Sequence, residues 1–184
     1  PSEIYASWPM EALKAQAVAA RSYTLSNLGR HSSDGYDLCS SVHCAAYNGI
    51  DSESERTTEA VLATRSEAAY YDGQVIEAVF SSNSGGFTER SDQIWSADLP
   101  YLRGANQMKN NDYDFPLEPL KLKDWILNSP PSYSKDYGSS NYRWQLKVPV
   151  EVIEYRSEIS PIKNIEVLKR SRGSTITSLK IYGE

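Results

Sequence analysis

The first long run of small apolar residues predicts a helix from Pro9 to about Leu28. Proline suits the first helical position, because its missing N–H would have no helical partner there in any case. Glu11 falls in the first turn, where the helix dipole favours an acid, and Gly29 supplies a stop. Alanine, leucine and valine dominate the interior on most of the circumference. This pattern favours a helix that is buried against close neighbours.

The rest of the chain alternates between short periodic runs and polar stretches. Residues 29–52 are rich in glycine, serine, aspartate and asparagine and predict a loop. The periodic runs predict a helix over 54–64, a hairpin of 68–71 with 74–80 around Asp72-Gly73, short helices over 120–128 and 149–157, and a closing hairpin of 162–169 with 174–182. This order indicates a single α+β domain spanning residues 1–184, with a groove on one face.

The composition limits the classes of function. A chain of 184 residues that is 40% apolar can form a core of its own. Nineteen Lys and Arg against 24 Asp and Glu leave a net charge of −5, which argues against nucleic acid as the main partner. No apolar run is long enough to cross a bilayer, and the start lacks the pattern of a signal peptide. Because the chain starts at Pro1 without Met, we expect a piece of a longer protein, with any membrane anchor outside it.

All the histidines and cysteines of the chain fall in one predicted loop, as His31, Cys39, His43 and Cys44. Two cysteines and two histidines are a common ligand set for tetrahedral zinc, and a metal could order a loop with no other source of order. Four protein ligands leave no open position, so such a zinc would be structural. The adjacent His43 and Cys44 depart from the usual finger spacing. A Cys39–Cys44 disulfide in an oxidising compartment is the alternative.

Three stretches of the sequence together resemble a known family. They are Pro1-Ser2-Glu3-Ile4 with the run from Trp8 to Tyr23, the run from Ala78 to Gly86, and Ile94-Trp95 with Pro100-Tyr101-Leu102. These stretches are similar to the stage II sporulation protein D and amidase-enhancer (SpoIID/LytB) family. The resemblance is strong over residues 1–105 and loose beyond them.

The resemblance implies action on bacterial cell-wall glycan. Similar proteins of spore formers are lytic transglycosylases, which cleave the bond between N-acetylmuramic acid and N-acetylglucosamine in peptide-stripped strands and leave a 1,6-anhydro end. They work during engulfment at the outer face of the cytoplasmic membrane, with a SpoIIP-like cell-wall amidase as partner. Other relatives are regarded as enhancers of amidases. The alternative function is therefore a non-catalytic, glycan-binding activator of an amidase.

The implied reaction needs one carboxylic acid, because the C6 hydroxyl of the substrate is the attacking group. That acid must keep its proton near neutral pH, so we expect it in a sheltered place. Glu11 lies in the first turn of the helix, where the dipole favours the charged form. Glu3 lies beside Ile4 in a segment that could tuck into a groove, and the catalytic glutamate of the family falls on it. Glu3 is therefore the predicted catalytic acid.

Two sets of residues are predicted to contact the substrate. Lys14 and Arg21 are two helical turns apart and project from nearly the same face, and the resemblance associates both positions with activity. A solvated basic edge, or an internal pair between Arg21 and Glu11, is the alternative. The second set is a small polar loop whose hydroxyls and backbone suit sugar contacts, although a tight exit from a strand would also need its glycines. Its members are Ser81, Ser82, Ser84, Gly85 and Gly86.

Overall fold

The computed structural model of the protein describes residues 2–110, 113–136 and 139–184. Its helices are α1 (Met10–Ser26), α2 (Glu55–Ala63), α3 (Ser91–Ile94), α4 (Pro119–Asn128), α5 (Ser139–Tyr142) and α6 (Val150–Ser157). Its strands are β1 (Tyr70–Tyr71), β2 (Gln74–Val75), β3 (Asn164–Arg170) and β4 (Ile176–Tyr182). In these ranges no helix has both the length and the apolar character that crossing a membrane requires.

Two small antiparallel sheets, β1–β2 and β3–β4, accompany the helices, so the predicted α+β class is confirmed. The chain packs as two compact units. The N-terminal unit comprises Pro1–Ser82 and the C-terminal unit comprises Asn83–Glu184.

The first predicted helix is confirmed as α1, with Pro9 just outside it as the N-cap. The Pro9 carbonyl accepts hydrogen bonds from the backbone of Ala12 and Leu13, at 3.0 and 3.1 Å. The prediction that most of the helix is buried is wrong, because within α1 Leu13 and Ser22 are the buried residues. In the N-terminal unit α1 packs against α2 and touches β2, so one face is covered and the others are half-buried or exposed.

Helix α2 begins at a capping box, which explains the predicted start. The Ser54 side chain accepts from the Thr57 backbone N–H, and the Thr57 hydroxyl accepts from the Ser54 backbone N–H, each at 3.3 Å. Asp72 and Gly73 both have positive φ angles, as the hairpin turn between β1 and β2 requires. The predicted second strand over 74–80 is too long, because β2 ends at Val75.

The core of the C-terminal unit is aromatic. Phe87 and Phe115 lie with ring centroids 4.3 Å apart, and Trp125 of α4 meets Phe115 edge-on at 5.4 Å. Met108 and Leu122 complete this buried cluster together with Leu117. The closing hairpin is confirmed as β3–β4, with Asn164 opposite Tyr182 and Arg170 opposite Ile176. The predicted short helices are confirmed as α4 and α6.

Candidate functional site

The segment that contains Glu3 is a short irregular stretch held against α2. The backbone N–H of Trp8 donates to the Tyr5 carbonyl at 3.0 Å, which closes a turn just before α1. Arg56 of α2 donates through Nε to the Ala6 carbonyl and through Nη2 to the Trp8 carbonyl, both at 2.9 Å. Two charge-assisted hydrogen bonds to neighbouring carbonyls therefore fix the path of this segment. Sequence reasoning missed Arg56, because no local pattern links it to residues 48 and 50 positions away.

Burial alternates along this segment, and the alternation turns Glu3 outward. Ile4, Ala6 and Trp8 are half-buried, whereas Glu3 is exposed. The expectation that the Glu3 side chain tucks into a sheltered groove is therefore wrong in this structure. The physical reason is that Arg56 holds the segment by its backbone carbonyls while the even-numbered side chains face the protein. The odd-numbered side chain of Glu3 therefore faces solvent.

Glu11, the other candidate acid, is also exposed, and it pairs with Lys14. The Lys14 Nζ atom lies 2.7 Å from Glu11 Oε1, one helical turn apart, and this hydrogen bond raises the pKa of Lys14 above its ordinary value. The Glu11 side chain is 82% exposed and the Lys14 side chain 34%. A surface pair of this kind is weak.

Arg21 reaches across to the C-terminal end of α2. Its Nη1 atom donates to the carbonyls of Thr64 at 2.8 Å and of Glu67 at 2.7 Å, and Nη2 reaches the Val61 carbonyl at 3.4 Å. The guanidinium thus binds carbonyls at the end of α2 and just beyond it, where carbonyls lack the usual helical partner. The alternative pair between Arg21 and Glu11 is wrong, since Glu11 bonds Lys14 instead. Arg21 and Arg56 together clamp the α1–α2 pair at both ends.

The predicted polar loop uses most of its hydrogen-bonding groups internally. The Ser84 hydroxyl donates to Gln107 Oε1 and accepts the Gly86 backbone N–H. The Asn83 Oδ1 atom accepts the Gly85 N–H at 2.8 Å, and its Nδ2 atom donates to the Ser134 carbonyl at 2.8 Å. These bonds fix Asn83–Gly86 in the C-terminal unit. Contacts of this loop with sugar remain a prediction.

The glycines of this loop are required by its shape. Gly85 and Gly86 have φ angles of +67° and +104°, which side chains rarely adopt. A Cβ atom on Gly86 would also lie 2.9 Å from Met108 Sδ and 3.1 Å from Tyr142 Oη. The close packing therefore explains both glycines without a ligand. Ser81 and Ser82, at the end of the N-terminal unit, are exposed.

The four soft ligands of residues 31–44 converge. One ligand atom from each of His31, Cys39, His43 and Cys44 lies within 4.8 Å of every other. The His31 Nε2 atom is 3.3 Å from His43 Nδ1, and the same Nδ1 is 3.5 Å from Cys44 Sγ and 3.7 Å from Cys39 Sγ. The other ring nitrogen of His31 lies 3.0 Å from the Asp34 carboxylate. A carboxylate behind a histidine in this way orients it for metal binding.

These separations fit a single tetrahedral zinc ion. Ordinary Zn–N and Zn–S bond lengths place two nitrogen ligands about 3.3 Å apart and a nitrogen and a sulfur about 3.6 Å apart. Both cysteines are free thiols in the structure, so the alternative disulfide is not formed. Hydrogen bonds to Ser41, and then to His43, lower the pKa of the Cys39 thiol to about 5. A thiolate at neutral pH is the form that binds metal.

Comparison with known proteins identifies a family and several relatives. Residues 1–71 match the SpoIID family model, described as Stage II sporulation protein. The chain is 35% identical over 137 residues to the amidase enhancer of Bacillus subtilis, covering 72% of this chain and 18% of that protein. It is 31% identical over 119 residues to the stage II sporulation protein D of Bacillus subtilis, covering 56% of this chain and 35% of that protein.

A third relative is an uncharacterized protein of Brachyspira hyodysenteriae, 38% identical over 106 residues, covering 57% of this chain and 29% of that protein. The chain thus spans between 18% and 35% of the length of these three relatives. The matches define the class as a protein with a SpoIID domain, over residues 1–71. The resemblance read from the sequence is confirmed, and the chain belongs to the SpoIID/LytB family, with residues 1–71 as the matched part.

Proposed function

We propose that this protein is a peptidoglycan lytic transglycosylase with Glu3 as its catalytic acid. The observation that carries the proposal is the match of residues 1–71 to the SpoIID family. This matched stretch contains Glu3 and the whole of α1. The substrate is a glycan strand whose stem peptides have been removed, and the bond cleaved joins N-acetylmuramic acid to N-acetylglucosamine.

The reaction balances with one carboxyl group. Glu3 donates its proton to the glycosidic oxygen, which leaves as a hydroxyl of N-acetylglucosamine. The C6 hydroxyl of the muramic acid residue attacks C1, and its proton passes to the Glu3 carboxylate as the 1,6-anhydro ring closes. No water is consumed and no second carboxylate acts as nucleophile, in contrast to a hydrolytic glycosidase. The exposure of Glu3 requires the bound sugar itself to exclude water from the carboxyl group.

Lys14 and Arg21 differ in their contributions to this site. Lys14 is held by a surface pair with Glu11, and it exchanges that carboxylate for the carboxylate of muramic acid. Arg21 binds three backbone carbonyls of and beyond α2, and so supports the platform on which α1 lies. Ser81 and Ser82 are exposed and offer hydroxyls to sugars.

The loop of residues 31–44 holds a structural zinc ion in this proposal. Its ligands are His31 Nε2, Cys39 Sγ, His43 Nδ1 and Cys44 Sγ, whose mutual distances support it. Four protein ligands leave no position for water or substrate. The metal would supply order to a loop that forms little regular structure.

A second candidate function is the non-catalytic activation of a cell-wall amidase through glycan binding. The name of one relative, amidase enhancer, favours it, and so does the exposed position of Glu3. Both functions place the protein outside the cytoplasmic membrane, in the space between membranes during engulfment in a spore former. Both also give it a SpoIIP-like amidase as partner.

The test is product analysis by mass spectrometry on denuded glycan strands. The wild-type chain should release fragments with 1,6-anhydro ends, and Glu3→Gln should release none while its melting temperature stays unchanged. Glu11→Gln is the matched control, since it removes an exposed carboxylate one residue after the start of α1 and should retain activity. If the wild type yields no anhydro product while Glu3→Gln still stimulates an amidase, the second candidate is correct.

A further inference from the structure

Arg143, immediately after α5, contacts the loop Asn83–Gly86. Its guanidinium lies between two aromatic rings, 4.3 Å from the centroid of Trp125 and 4.2 Å from that of Tyr142. Stacking on both faces holds the plane of the guanidinium at one orientation. The group is half-buried, and this burial lowers the pKa of Arg143, although arginine stays charged at any physiological pH.

The edges of the same guanidinium bind backbone carbonyls from three segments. Nη1 donates to the carbonyls of Gly85 and Tyr142, both at 2.8 Å. Nη2 donates to the Trp125 carbonyl at 2.9 Å, and Nε donates to the Ile126 carbonyl at 3.2 Å. The carbonyls of Trp125 and Ile126 belong to the last turn of α4, where helix carbonyls have no helical partner. Arg143 therefore caps α4 and ties its end to Gly85.

We propose that Arg143 is a positioning residue for the glycan-binding loop Asn83–Gly86. The proposal rests on the function proposed above and on the predicted contacts of Ser84, Gly85 and Gly86 with sugar. The bonds among Asn83, Ser84 and Gly85 shape the loop but do not connect it to α4. The bond from Arg143 to the Gly85 carbonyl makes that connection, so the end of α4 and the loop move as one body.

The planar guanidinium of an arginine is needed to bind the end of α4 and the loop at the same time. A lysine ammonium at the same place could reach one carbonyl group but could not stack flat between two rings while binding both segments. The Gly85 position is matched to it, since a Cβ there would lie 3.3 Å from Arg143 Nη1. A side chain at position 85 would therefore require the guanidinium to shift by a few tenths of an ångström, at a φ angle that side chains rarely adopt. Arg143 and Gly85 act as a pair.

The experiment compares Arg143→Gln, Arg143→Lys and the control Arg156→Gln in the full 184-residue chain. Arg156 is an exposed arginine near the end of α6, so its replacement should change nothing. Hydrogen exchange at the Gly85 and Gly86 amides, measured without substrate, should be about tenfold faster in Arg143→Gln. On denuded glycan strands, the KM of Arg143→Gln should rise about tenfold with kcat within about threefold of wild type. Arg143→Lys should recover part of the change in amide exchange and part of the change in KM.

The outcomes separate this inference from the proposed function. Unchanged amide exchange at Gly85 and Gly86 in Arg143→Gln would overturn the positioning role, whatever the activity. Faster exchange together with a wild-type chain that neither binds nor cleaves glycan would support the positioning of the loop and defeat the proposed function instead. If Arg143→Gln does not fold, Arg143→Lys, Gly85→Ala and their double variant are compared instead. Non-additive changes in amide exchange would support the coupling of Arg143 to Gly85, and additive changes would refute it.

Discussion

The Nε2 atom of His31 lies 3.3 Å from the Nδ1 atom of His43, as two nitrogen ligands of one tetrahedral zinc ion would. Without a metal, two imidazoles at this distance can share at most one hydrogen bond. The zinc ion proposed above would turn the same arrangement into four metal–ligand bonds.

The zinc prediction concerns stoichiometry and stability together. The purified chain should contain about one zinc ion, measured by elemental mass spectrometry, and Cys39→Ser should abolish its binding. Because the loop has little regular structure of its own, removal of zinc by a chelator should cost at least about 2 kcal/mol, which lowers the melting temperature by about 4–8 °C. Magnesium should not restore it. A zinc-free chain with a mass 2 Da below that of the dithiol would show the Cys39–Cys44 disulfide instead.

Arg56 should matter for activity more than for stability. Arg56→Gln removes two charged hydrogen bonds, to the carbonyls of Ala6 and Trp8, from a segment that is otherwise lightly packed. We expect a loss of about 1–2 kcal/mol in the free energy of unfolding. We also expect kcat to fall by more than this loss of stability alone would explain, because Glu3 loses its fixed position. Arg65→Gln, at an exposed arginine just beyond α2, is the matched control. Equal kinetics for the two variants would refute the positioning of Glu3 by Arg56.

The elements that were predicted correctly are marked by residues at their own ends or turns. Pro9 marks the start of α1, the Ser54–Thr57 capping box marks the start of α2, and Asp72-Gly73 marks the turn of the first hairpin. The cluster of zinc-type ligands was also predictable, because all four residues fall in one short loop that can fold them together. In each case the interacting groups are close neighbours in the sequence.

The features that escaped prediction depend on distant contacts. The most remote carbonyls that Arg21 and Arg143 bind are 46 and 58 residues away, and a backbone carbonyl leaves no mark in a sequence. The outward position of Glu3 follows from which side chains of its segment find cover, and that depends on α2. The predicted β2 is too long because a mainly apolar run after an Asp-Gly turn predicts a strand whether or not a neighbour is present to pair with it.

Substitution of Arg21 should mainly lower stability, whereas substitution of Lys14 should mainly weaken glycan binding. Arg21→Ala leaves carbonyls at the end of α2 without their charged donor and should cost about 2 kcal/mol in the free energy of unfolding. Lys14→Ala breaks an exposed pair with Glu11 and should cost less than about 0.5 kcal/mol, while weakening glycan binding. Thermal melting and glycan co-sedimentation of both variants measure the two effects. Weak binding in Arg21→Ala at full stability would return Arg21 to the list of direct substrate contacts.

The turn of the closing hairpin is fixed to the C-terminal unit by Glu89. Its Oε1 atom accepts hydrogen bonds from the hydroxyls of Ser171 at 2.7 Å and Thr175 at 2.6 Å, and its Oε2 atom accepts the Gly173 N–H at 3.2 Å. A Cβ at Gly173 would lie 2.5 Å from Glu89 Oε1 and 2.7 Å from Phe87 Cδ1, which is too close for any side chain. Glycine at this position is therefore a packing requirement.

Gly173→Ala should accordingly destabilise the protein by about 2 kcal/mol or more, since both the carboxylate and the buried ring must move. Glu89→Gln should cost less, because an amide oxygen keeps part of the acceptor capacity while the added NH₂ meets donors. Chemical denaturation of both variants measures these differences. The double variant should cost less than the sum, because Gly173→Ala already displaces the Glu89 carboxylate and so breaks the hydrogen bonds that Glu89→Gln would weaken. Strict additivity would mean that these hydrogen bonds survive in Gly173→Ala.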